Sequence, residues 1–190
     1  MNSFYSDDEL REIGFKRLGR NVRISRKSSV YSPETISIGD NVRVDDFCIL
    51  SGNIVIGSYI HISAYTALYG RYGITLEDYV TISGRVLIYS QNDDYSGQYM
   101  TNPMVPPEYT NVTGGPVFIR KHAIIASGSV ILPSVTMGEG SCLGAMSMLK
   151  EDAEAWYVYA GVPAKKRKER MRDILKYEKE LLLNINKSKL

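Results

Sequence analysis

The sequence has few of the side chains that build metal centres and disulfide scaffolds. Its 190 residues include two histidines, two cysteines and one tryptophan. Cys48 and Cys142 each lie in an apolar run, which favours buried thiols in a reducing, cytoplasmic compartment over a disulfide framework. Two histidines cannot supply an open catalytic zinc site that uses three imidazole ligands, so we expect no metal.

The chain also lacks a charge excess and a long apolar run. Its 23 Lys and Arg nearly balance its 21 Asp and Glu, for a net charge of +2. We therefore expect no nucleic-acid partner and no membrane partner. No run is long and apolar enough for a membrane span, and the start "MNSFYSDDEL" lacks the basic and apolar regions of a signal peptide.

What the chain does have is a six-residue period of aliphatic side chains. A period of six fits neither the 3.6-residue helical repeat nor the strict alternation of a meander, and it predicts short strands joined by tight corners. The expected fold is an all-β solenoid, a parallel β-helix of hexapeptide repeats. The series runs through Ile38, Val44, Leu50, Ile56, Ile62 and Leu68, then Leu76, Ile82 and Ile88, then Ile119, Ile125, Ile131, Met137, Leu143 and Leu149.

A long polar stretch, "LIYSQNDDYSGQYMTNPMVPPEYTNVTGGP", interrupts this series. Because the six-residue spacing resumes after it, we interpret residues 89–116 as a loop inserted into one solenoid. Pro103, Pro106 and Pro107 give the loop a defined shape. Insertions into solenoids commonly carry the binding face, so the loop is a candidate part of the functional site.

Both ends of the chain predict helices that cap a single domain. Ser6 and Glu9 form a capping box for an N-terminal helix that ends at Gly14. A second helix is expected from Ala164 to about residue 184. The predicted organisation is a helical cap over residues 1–20, the β-helix over residues 21–160 with its loop, and a C-terminal helix within residues 161–190.

Several segments resemble the hexapeptide-repeat acyltransferases over nearly the whole chain. They include "DDFCILSG", "AYTALYG", "DDYSG", "LGAMSMLKE" and "YAGVPAKKRKER". More narrowly, they are similar to the bacterial acetyltransferases that act on nucleotide-linked 4-amino-4,6-dideoxyglucose in surface-polysaccharide (lipopolysaccharide, O-antigen) synthesis. The resemblance implies a left-handed parallel β-helix, acetyl-CoA as cosubstrate, and a homotrimer whose active sites lie between adjacent subunits.

By the same resemblance, a groove for coenzyme A lies along the second half of the solenoid. Small residues would let pantetheine amides approach exposed backbone groups, and lysines would meet the phosphates. In a helix that begins at Ala164, a basic cluster near the N-terminus opposes the macrodipole, which favours an anionic partner. The candidate residues are Ser127, Gly128, Gly144, Ala145, Lys150, Gly161, Lys165 and Lys166.

The group that deprotonates the acceptor stays open at the level of sequence. Many members of the family carry a catalytic histidine in the inserted loop, and here that loop has Asp93 and Asp94 instead. One of these carboxylates could act as base or orient the acceptor. His61 or His122 could act from another coil. An amine acceptor could also react with no protein base, through positioning alone.

Four further residues are candidates for acceptor binding. Asp45 and Asp46 form a second acidic pair, of which one side chain is expected to face the pocket because adjacent strand residues point to opposite faces. Tyr65 and Tyr95 could contact the sugar or the base. Aspartates that only turn a corner, and tyrosines that only cover the surface, are the structural alternatives.

The missing loop histidine favours an amine acceptor over a hydroxyl, because a hydroxyl needs a base more than an amine does. The resemblance implies that this acceptor is a nucleotide-linked (dTDP) 4-amino sugar, so N-acetylation of its amine is the expected reaction. A sugar O-acetyltransferase of the galactoside or maltose type is the main alternative. A γ-class carbonic anhydrase, which has the same fold type, would need three histidine ligands and is disfavoured.

Overall fold

In the computed structural model, which describes residues 3–187, short strands wind into a solenoid between two helices. The helices are α1 (Asp7–Ile13) and α2 (Ile174–Lys187), and single 3₁₀ turns occur at Pro33–Thr35 and Pro107–Tyr109. The strands are β1 (Arg17–Leu18), β2 (Arg23–Ile24), β3 (Ser29–Tyr31), β4 (Ile36–Ile38), β5 (Val42–Val44), β6 (Ile49–Ile56), β7 (Ile60–Ile62), β8 (Ala67–Leu76), β9 (Thr81–Ile82), β10 (Leu87–Tyr89), β11 (Gln91–Asn92), β12 (Thr113–Gly114), β13 (Val117–Ile119), β14 (Ile124–Ile125), β15 (Val130–Ile131), β16 (Thr136–Met137), β17 (Cys142–Leu143), β18 (Met148–Leu149), β19 (Tyr157–Ala160) and β20 (Lys165–Glu169).

The strands form three faces of a prism. Face I stacks β2, β5, β7, β9, β14, β17 and β19, all parallel. The long strands β6 and β8 turn a corner, so their first halves join β3, β10, β15 and β18 in face II and their second halves join β1, β4, β13 and β16 in face III. Each coil therefore contributes one short strand to each face.

The six-residue aliphatic series forms the core of this prism. Ile62, Leu68 and Ile82 have no exposed surface, and neither do nearly all other members of the series. Because the strands pair in parallel register, each of these side chains lies on its equivalent in the next coil, as Leu68 does on Ile88. Burial of such stacked aliphatic surface stabilises the solenoid by about 1.5–3 kcal/mol per side chain. The sequence prediction of inward-facing hexapeptide positions is confirmed.

The N-terminal helix closes the first coil as predicted. Ser6 accepts a hydrogen bond from the Glu9 amide, and the Glu9 carboxylate accepts one from the Ser6 amide, which completes the capping box. Gly14 ends the helix in a left-handed conformation with φ of 82°. Leu10 is 1% exposed and packs against the first coils. The helix thus covers apolar surface that the first coil would otherwise leave open.

The prediction of a helix that starts at Ala164 is wrong. Residues Lys165–Glu169 form strand β20, which pairs antiparallel with β19 at the end of face I, and α2 begins at Ile174. Strand β20 forms because it supplies hydrogen-bond partners to the exposed backbone edge of β19, the last strand of face I. Helix propensity depends on local sequence and does not reflect this edge. The macrodipole argument for an anion beside this basic cluster therefore does not apply.

Helix α2 packs along one corner of the solenoid. Glu178 forms an ion pair with Lys121 and a hydrogen bond of 2.8 Å with His122 Nε2. The His122 ring stacks on Tyr79 with 5.1 Å between ring centroids. Burial raises the pKa of Glu178, but the hydrogen bonds from Lys121 and His122 outweigh it and hold that pKa below its usual value. Within residues 3–187, no helix is long and apolar enough to cross a membrane.

This contact makes the docking of α2 pH-dependent. A carboxylate whose pKa is depressed on folding stabilises the fold above its ordinary value of 4.5, and the contribution is lost as the pH falls through its lower folded pKa. We expect Glu178→Gln to cost about 1.5–3 kcal/mol of unfolding free energy at pH 7, as for a lost charged hydrogen bond, and to flatten the acid-side loss of stability.

Denaturant unfolding at pH 7 and pH 4 measures the effect. Glu180→Gln is the matched control, because Glu180 lies on the same helix and is exposed, with only a 4.0 Å contact to Lys176. Equal unfolding free energies for the two variants at both pH values would show that Glu178 does not anchor α2.

Candidate functional site

The inserted loop leaves the solenoid at the corner between faces II and III, and a narrow neck holds it. Strands β11 and β12 pair antiparallel, with Gln91 opposite Gly114. A side chain on Gly114 would place its Cβ 2.2 Å from the Ser90 carbonyl oxygen, so only glycine fits there. The Tyr72 hydroxyl donates to the Val112 carbonyl at 3.1 Å and fixes the returning strand. The loop is therefore clamped at its base.

Three cavities meet beside this neck, with volumes of about 450, 350 and 430 Å³. Gln91 lines all three, and Arg71 lines the first two. Each volume is in the range of small-molecule sites. We call the three together the loop cleft. Its lining comprises Ser32, Thr35, Ser51, Gly52, Asn53, Tyr69, Gly70, Arg71, Tyr89, Gln91, Asn92, Asp93, Tyr95, Asn102, Pro103, Val105, Pro107, Thr110, Asn111, Val112 and Leu132.

The two acids of the loop have different environments. Asp93 is exposed and lines two of the cavities. Asp94 is engaged in a turn, where its carboxylate accepts hydrogen bonds from the Ser96 hydroxyl at 2.8 Å and the Gly97 amide at 3.0 Å. The Ser96 contact, followed by the amides, lowers the pKa of Asp94. The geometry therefore gives Asp94 a role in shaping the loop and leaves the Asp93 carboxylate exposed in the cleft.

Tyrosines form one wall of the loop cleft. Tyr69 and Tyr89 lie on successive coils of face II and stack with 5.1 Å between ring centroids. Tyr95 lines the same cavity and is 89% exposed. Tyr65, the other tyrosine singled out from the sequence, lies at a different corner, where it stacks on Phe47. Aromatic faces beside a carboxylate suit a ligand with a ring and a cationic or amine group.

A second candidate surface is a column of small residues at the end of face I, which we call the small-residue strip. One residue from each coil lies directly over the next, as shown by the amide of Ser63 bonded to the Ile82 carbonyl and that of Gly144 to the Tyr159 carbonyl. The strip comprises Ser63, Ser83, Ala126, Gly144 and Ala160. Backbone groups beside such small side chains are open to an extended, amide-containing ligand.

Several predicted donor residues lie on or next to this strip. Gly144 belongs to it, and Ser127 and Ala145 follow strip positions in adjacent coils and are exposed. Gly128 lies under the Met146 sulfur, where a Cβ would approach to 2.4 Å. Ser63 and Ser83 were missed as site residues by sequence reasoning, which treated them only as bend positions. The sequence pattern that could have identified them is the small residue that directly follows each inward aliphatic residue.

The predicted basic residues are spread over the C-terminal end. Lys165 and Lys166 lie on the exposed strand β20, and the Lys166 ammonium pairs with Glu154 at 2.7 Å. The ammonium of Lys150 is 3.6 Å from Glu151. Gly161 precedes a cis Val162–Pro163 bond, and its amide donates to the Ser147 hydroxyl. The cations surround the last coil of the strip without forming one compact cluster.

The second acidic pair lies at the corner that follows β5, where its two side chains have different partners. The Asp45 carboxylate bonds to His61 Nε2 at 2.7 Å and accepts from Arg43 Nε at 2.6 Å. Partial burial raises the pKa of Asp45, but these two hydrogen bonds outweigh it and hold that pKa below its usual value. Asp46 turns away and bonds to the Ser25 hydroxyl and the Lys27 ammonium. His61 lies on the same coil as Ser63, and Asp45 lies one coil beyond it.

His122 lies apart from both candidate surfaces. It is 7% exposed, stacks on Tyr79 and bonds to Glu178 under helix α2. These contacts give His122 a structural role at the corner of the solenoid, where helix α2 packs.

The loop cleft and the small-residue strip lie at different corners of the prism. The strip ends face I, whereas the loop leaves at the far end of face II, so the length of one face II strand separates them. Among the described residues, no group of three or more His, Cys, Asp or Glu side chains could hold a metal ion. The arrangement suits transfer between two organic substrates, one on each surface.

No protein-family model matches the chain. Over 179 residues it is 50% identical to the dTDP-4-amino-4,6-dideoxy-D-glucose acyltransferase of Escherichia coli, a match that covers 93% of both proteins. It is also 26% identical over 159 residues to the putative lipopolysaccharide biosynthesis O-acetyl transferase WbbJ of Escherichia coli K12, covering 77% of this chain and 78% of WbbJ.

Solved structures show the same fold. AntD, an N-acyltransferase from Bacillus cereus, matches with a TM-score of 0.95 and 53% identity over 98% of this chain and all of AntD, in complex with dTDP and 3-hydroxybutyryl-CoA. A serine-to-cysteine variant of AntD, with a TM-score of 0.94 and 52% identity over 97% of this chain and 99% of the variant, holds dTDP-4-amino-4,6-dideoxyglucose and coenzyme A.

A hexapeptide-repeat acetyltransferase from Vibrio cholerae, 21% identical with a TM-score of 0.61, covers 87% of this chain and 76% of its own and shares the fold alone. With these structures the predicted left-handed parallel β-helix is confirmed. The chain is identical at half of the aligned positions to the Escherichia coli enzyme, and the alignment covers almost the full length of both. The AntD structures show the same architecture. The chain therefore belongs to the hexapeptide-repeat acyltransferases, in the family of the dTDP-4-amino-4,6-dideoxy-D-glucose acyltransferase.

Proposed function

We propose that the protein transfers an acyl group, with acetyl-CoA as donor, to the 4-amino group of dTDP-4-amino-4,6-dideoxyglucose. The observation that carries this proposal is the loop cleft, in which an available carboxylate, Asp93, lies beside stacked tyrosines. A carboxylate in that setting suits an amine on a sugar ring. The similarity to an enzyme of that specificity and to an N-acyltransferase bound to that sugar nucleotide supports the same substrate class.

The donor is proposed to lie along the small-residue strip. Pantetheine is a linear chain with two amides, and Ala126, Gly144 and Ala160 leave backbone groups open along three successive coils. The coils are spaced by about 4.8 Å, the distance between hydrogen-bonded strands. The exposed lysines around Lys165 would then meet the phosphates at the last coil. This direction points the thioester toward Ser83 and Ser63.

The chemistry needs an amine lone pair, a positioned thioester and a path for one proton. The amine nitrogen attacks the thioester carbonyl carbon, so that a C–N bond forms and the carbonyl oxygen gains the negative charge. Collapse of this intermediate breaks the C–S bond and releases coenzyme A as the thiolate. The proton lost by the amine nitrogen then neutralises that thiolate. Asp93 accepts a hydrogen bond from the amine and fixes its direction of attack.

We propose that the Asp45–His61 pair relays this single proton, taking it from the amine nitrogen and passing it to the thiolate. A histidine backed by a carboxylate is suited to take a proton near neutral pH. His61 lies on the coil of Ser63 and Asp45 on the next coil, so the pair is at the end of the strip where the thioester would be. Asp46 and His122 have structural partners, so we give neither a role in the reaction.

We further propose that the enzyme is a homotrimer in which the strip of one subunit faces the loop of the next. Within one chain the two surfaces lie at different corners, so a single subunit does not bring amine and thioester together. Helix α2 also presents exposed apolar side chains that include Tyr177, at 64%, and Leu183, at 60%. Exposed apolar surface of this kind is typical of subunit contacts.

A role in surface-polysaccharide synthesis follows from the same acceptor. An N-acylated dideoxy sugar that is still attached to dTDP is an activated glycosyl donor, so a glycosyltransferase is the class of enzyme that would use it. The similarity to WbbJ supports lipopolysaccharide, including O-antigen, as the destination.

A thiol-release assay tests the proposed reaction. With acetyl-CoA, we expect turnover on dTDP-4-amino-4,6-dideoxyglucose and none above background on simple galactosides or maltose. Mass spectrometry of the product should locate the added acetyl on the amine nitrogen. Turnover on the galactosides with none on the amino sugar would instead make the protein an O-acetyltransferase.

Substitutions at the two loop acids separate their roles. Asp93→Asn removes the charge that orients the amine, and we expect a loss of about 100-fold or more in kcat/KM, in the range of a positioned catalytic group. Asp94→Asn is the matched control, because asparagine can accept the same turn-forming bonds. We expect it to keep activity within about fivefold, given that role. Equal losses in the two variants would contradict the assignment of Asp93.

Subunit complementation tests the placement of the site between chains. Asp93→Asn damages the loop, and Ala126→Phe blocks the small-residue strip, so each variant alone should be nearly inactive. In mixed trimers selected with two tags, one of the three inter-subunit sites, about a third, would combine an intact loop with an intact strip. We expect the acyl-transfer activity of the mixed trimers to equal that fraction of the activity of the unsubstituted enzyme. Mixed oligomers with no more activity than the parents would place both surfaces in one subunit's site.

A further inference from the structure

The column of residues that forms the small-residue strip continues past Ser63, but its next side chain is not small. The Asp45 amide bonds to the Ile62 carbonyl at 3.0 Å, as the Ser63 amide does to the Ile82 carbonyl at 2.9 Å, so Asp45 occupies the strip position of its coil. Every residue of the strip itself is serine, alanine or glycine. Ser25, one coil beyond Asp45, is small again and has no exposed surface. A single side chain therefore ends the open strip.

Three hydrogen bonds hold Asp45 in place. Its Oδ2 atom is 2.7 Å from His61 Nε2, and its Oδ1 atom accepts from Arg43 Nε at 2.6 Å. The Ser28 hydroxyl donates to the Asp45 carbonyl at 2.9 Å, which fixes the backbone of the same residue. The Asp45 side chain is only 17% exposed. A ligand that extends along the strip would have to break these bonds to displace the carboxylate, so the carboxylate acts as a fixed end wall.

Aromatic side chains flank the same end of the strip. Phe47 and Tyr65 each follow a strip position by two residues and have left-handed backbones, with φ of 60° and 63°. Their rings stack with 4.9 Å between centroids, and the Lys27 ammonium lies 5.4 Å from the centre of the Phe47 ring. Two coils further along from Tyr65, the equivalent residue is Gly128, which has no side chain. The strip is therefore open beside Gly128 and walled by aromatic rings at its end.

We propose that Asp45 ends the acyl-binding part of the strip and thereby limits the transferred acyl group to a short chain. The assignment rests on the proposed function, in which the thioester lies near Ser83 and Ser63. One coil adds about 4.8 Å along the strip, so the space between Ser63 and the Asp45 wall accommodates roughly two to four carbon atoms. A longer chain would have to displace a bonded carboxylate or turn out into water past the aromatic pair, and either event weakens binding.

The end wall and the proton relay use different properties of Asp45. The relay depends on the negative charge beside His61, whereas the wall depends on the volume of the side chain. Asparagine keeps that volume and removes the charge, and serine removes both, so the two substitutions separate the two roles. Binding of a coenzyme A thioester without an acceptor involves no proton transfer and therefore reports on the wall alone.

Calorimetric titration of the full-length protein with acetyl-, butyryl- and hexanoyl-CoA, without an acceptor, tests the proposal. For the unsubstituted protein we expect the Kd of hexanoyl-CoA to exceed that of acetyl-CoA by about 10–100-fold, as for an overfilled site. Asp45→Ser should lower this ratio to about threefold or less, since the strip then continues over Ser25. Asp45→Asn should leave the ratio unchanged. Asp46→Ser is the matched control and should also leave it unchanged, because Asp46 bonds to Ser25 and Lys27 outside the strip.

A substitution at Ser63 provides a second, independent measurement. Ser63→Leu leaves Asp45 and its partners intact and moves the end wall one coil toward the thioester. We expect it to raise the Kd of butyryl-CoA about 10-fold or more relative to that of acetyl-CoA. The same Kd ratios in the unsubstituted, Asp45→Ser and Ser63→Leu proteins would overturn the proposal. The expected shifts in Kd ratio, together with no acyl transfer to the amino sugar, would instead refute the proposed acceptor and leave the end wall at Asp45 intact.

Discussion

The parallel stacking of one coil on the next is the interaction on which the whole molecule depends. Register between adjacent coils places each inward aliphatic residue on its equivalent, as Ile62 lies beside Ile82. The same register aligns every outward position as well. The small-residue strip is thus a consequence of the core, because Ser83, Ala126 and Gly144 each follow an inward aliphatic residue directly in sequence. A repeat that encodes the core thereby also encodes a straight groove.

This constraint explains what could be predicted from the sequence. The six-residue period predicted the strands, the core and the bounds of the inserted loop, and the local pattern of Ser6 and Glu9 predicted the first cap. Those features depend on neighbours in sequence or on a regular repeat. The strand at Lys165–Glu169 was mispredicted because the open edge of β19, far from local propensity, determines its conformation.

Parts of the candidate site could not be predicted for a related reason. Asp93 and Asp94 are equivalent in sequence, and only the turn at Ser96 and Gly97 separates their roles. Arg71 and Gln91 carry no motif, and they become neighbours of one cavity only because the returning strand closes the neck. His122 similarly acquires its structural role from helix α2, whose Glu178 is 56 residues further along the chain.

The position of the inserted loop reconciles a long insertion with an unbroken solenoid. On either side of it, Leu87 pairs with Ala67 and Val117 pairs with Ile74, so the two strands occupy the faces that consecutive strands of any coil would occupy. The loop replaces a corner, where no ladder hydrogen bond is lost, and its cost is mainly closure entropy, which grows slowly with length. The Gln91–Gly114 neck and the Tyr72 hydroxyl reduce that cost by fixing both ends. The loop can therefore vary at this corner while the small-residue strip, which the repeat itself maintains, stays the same.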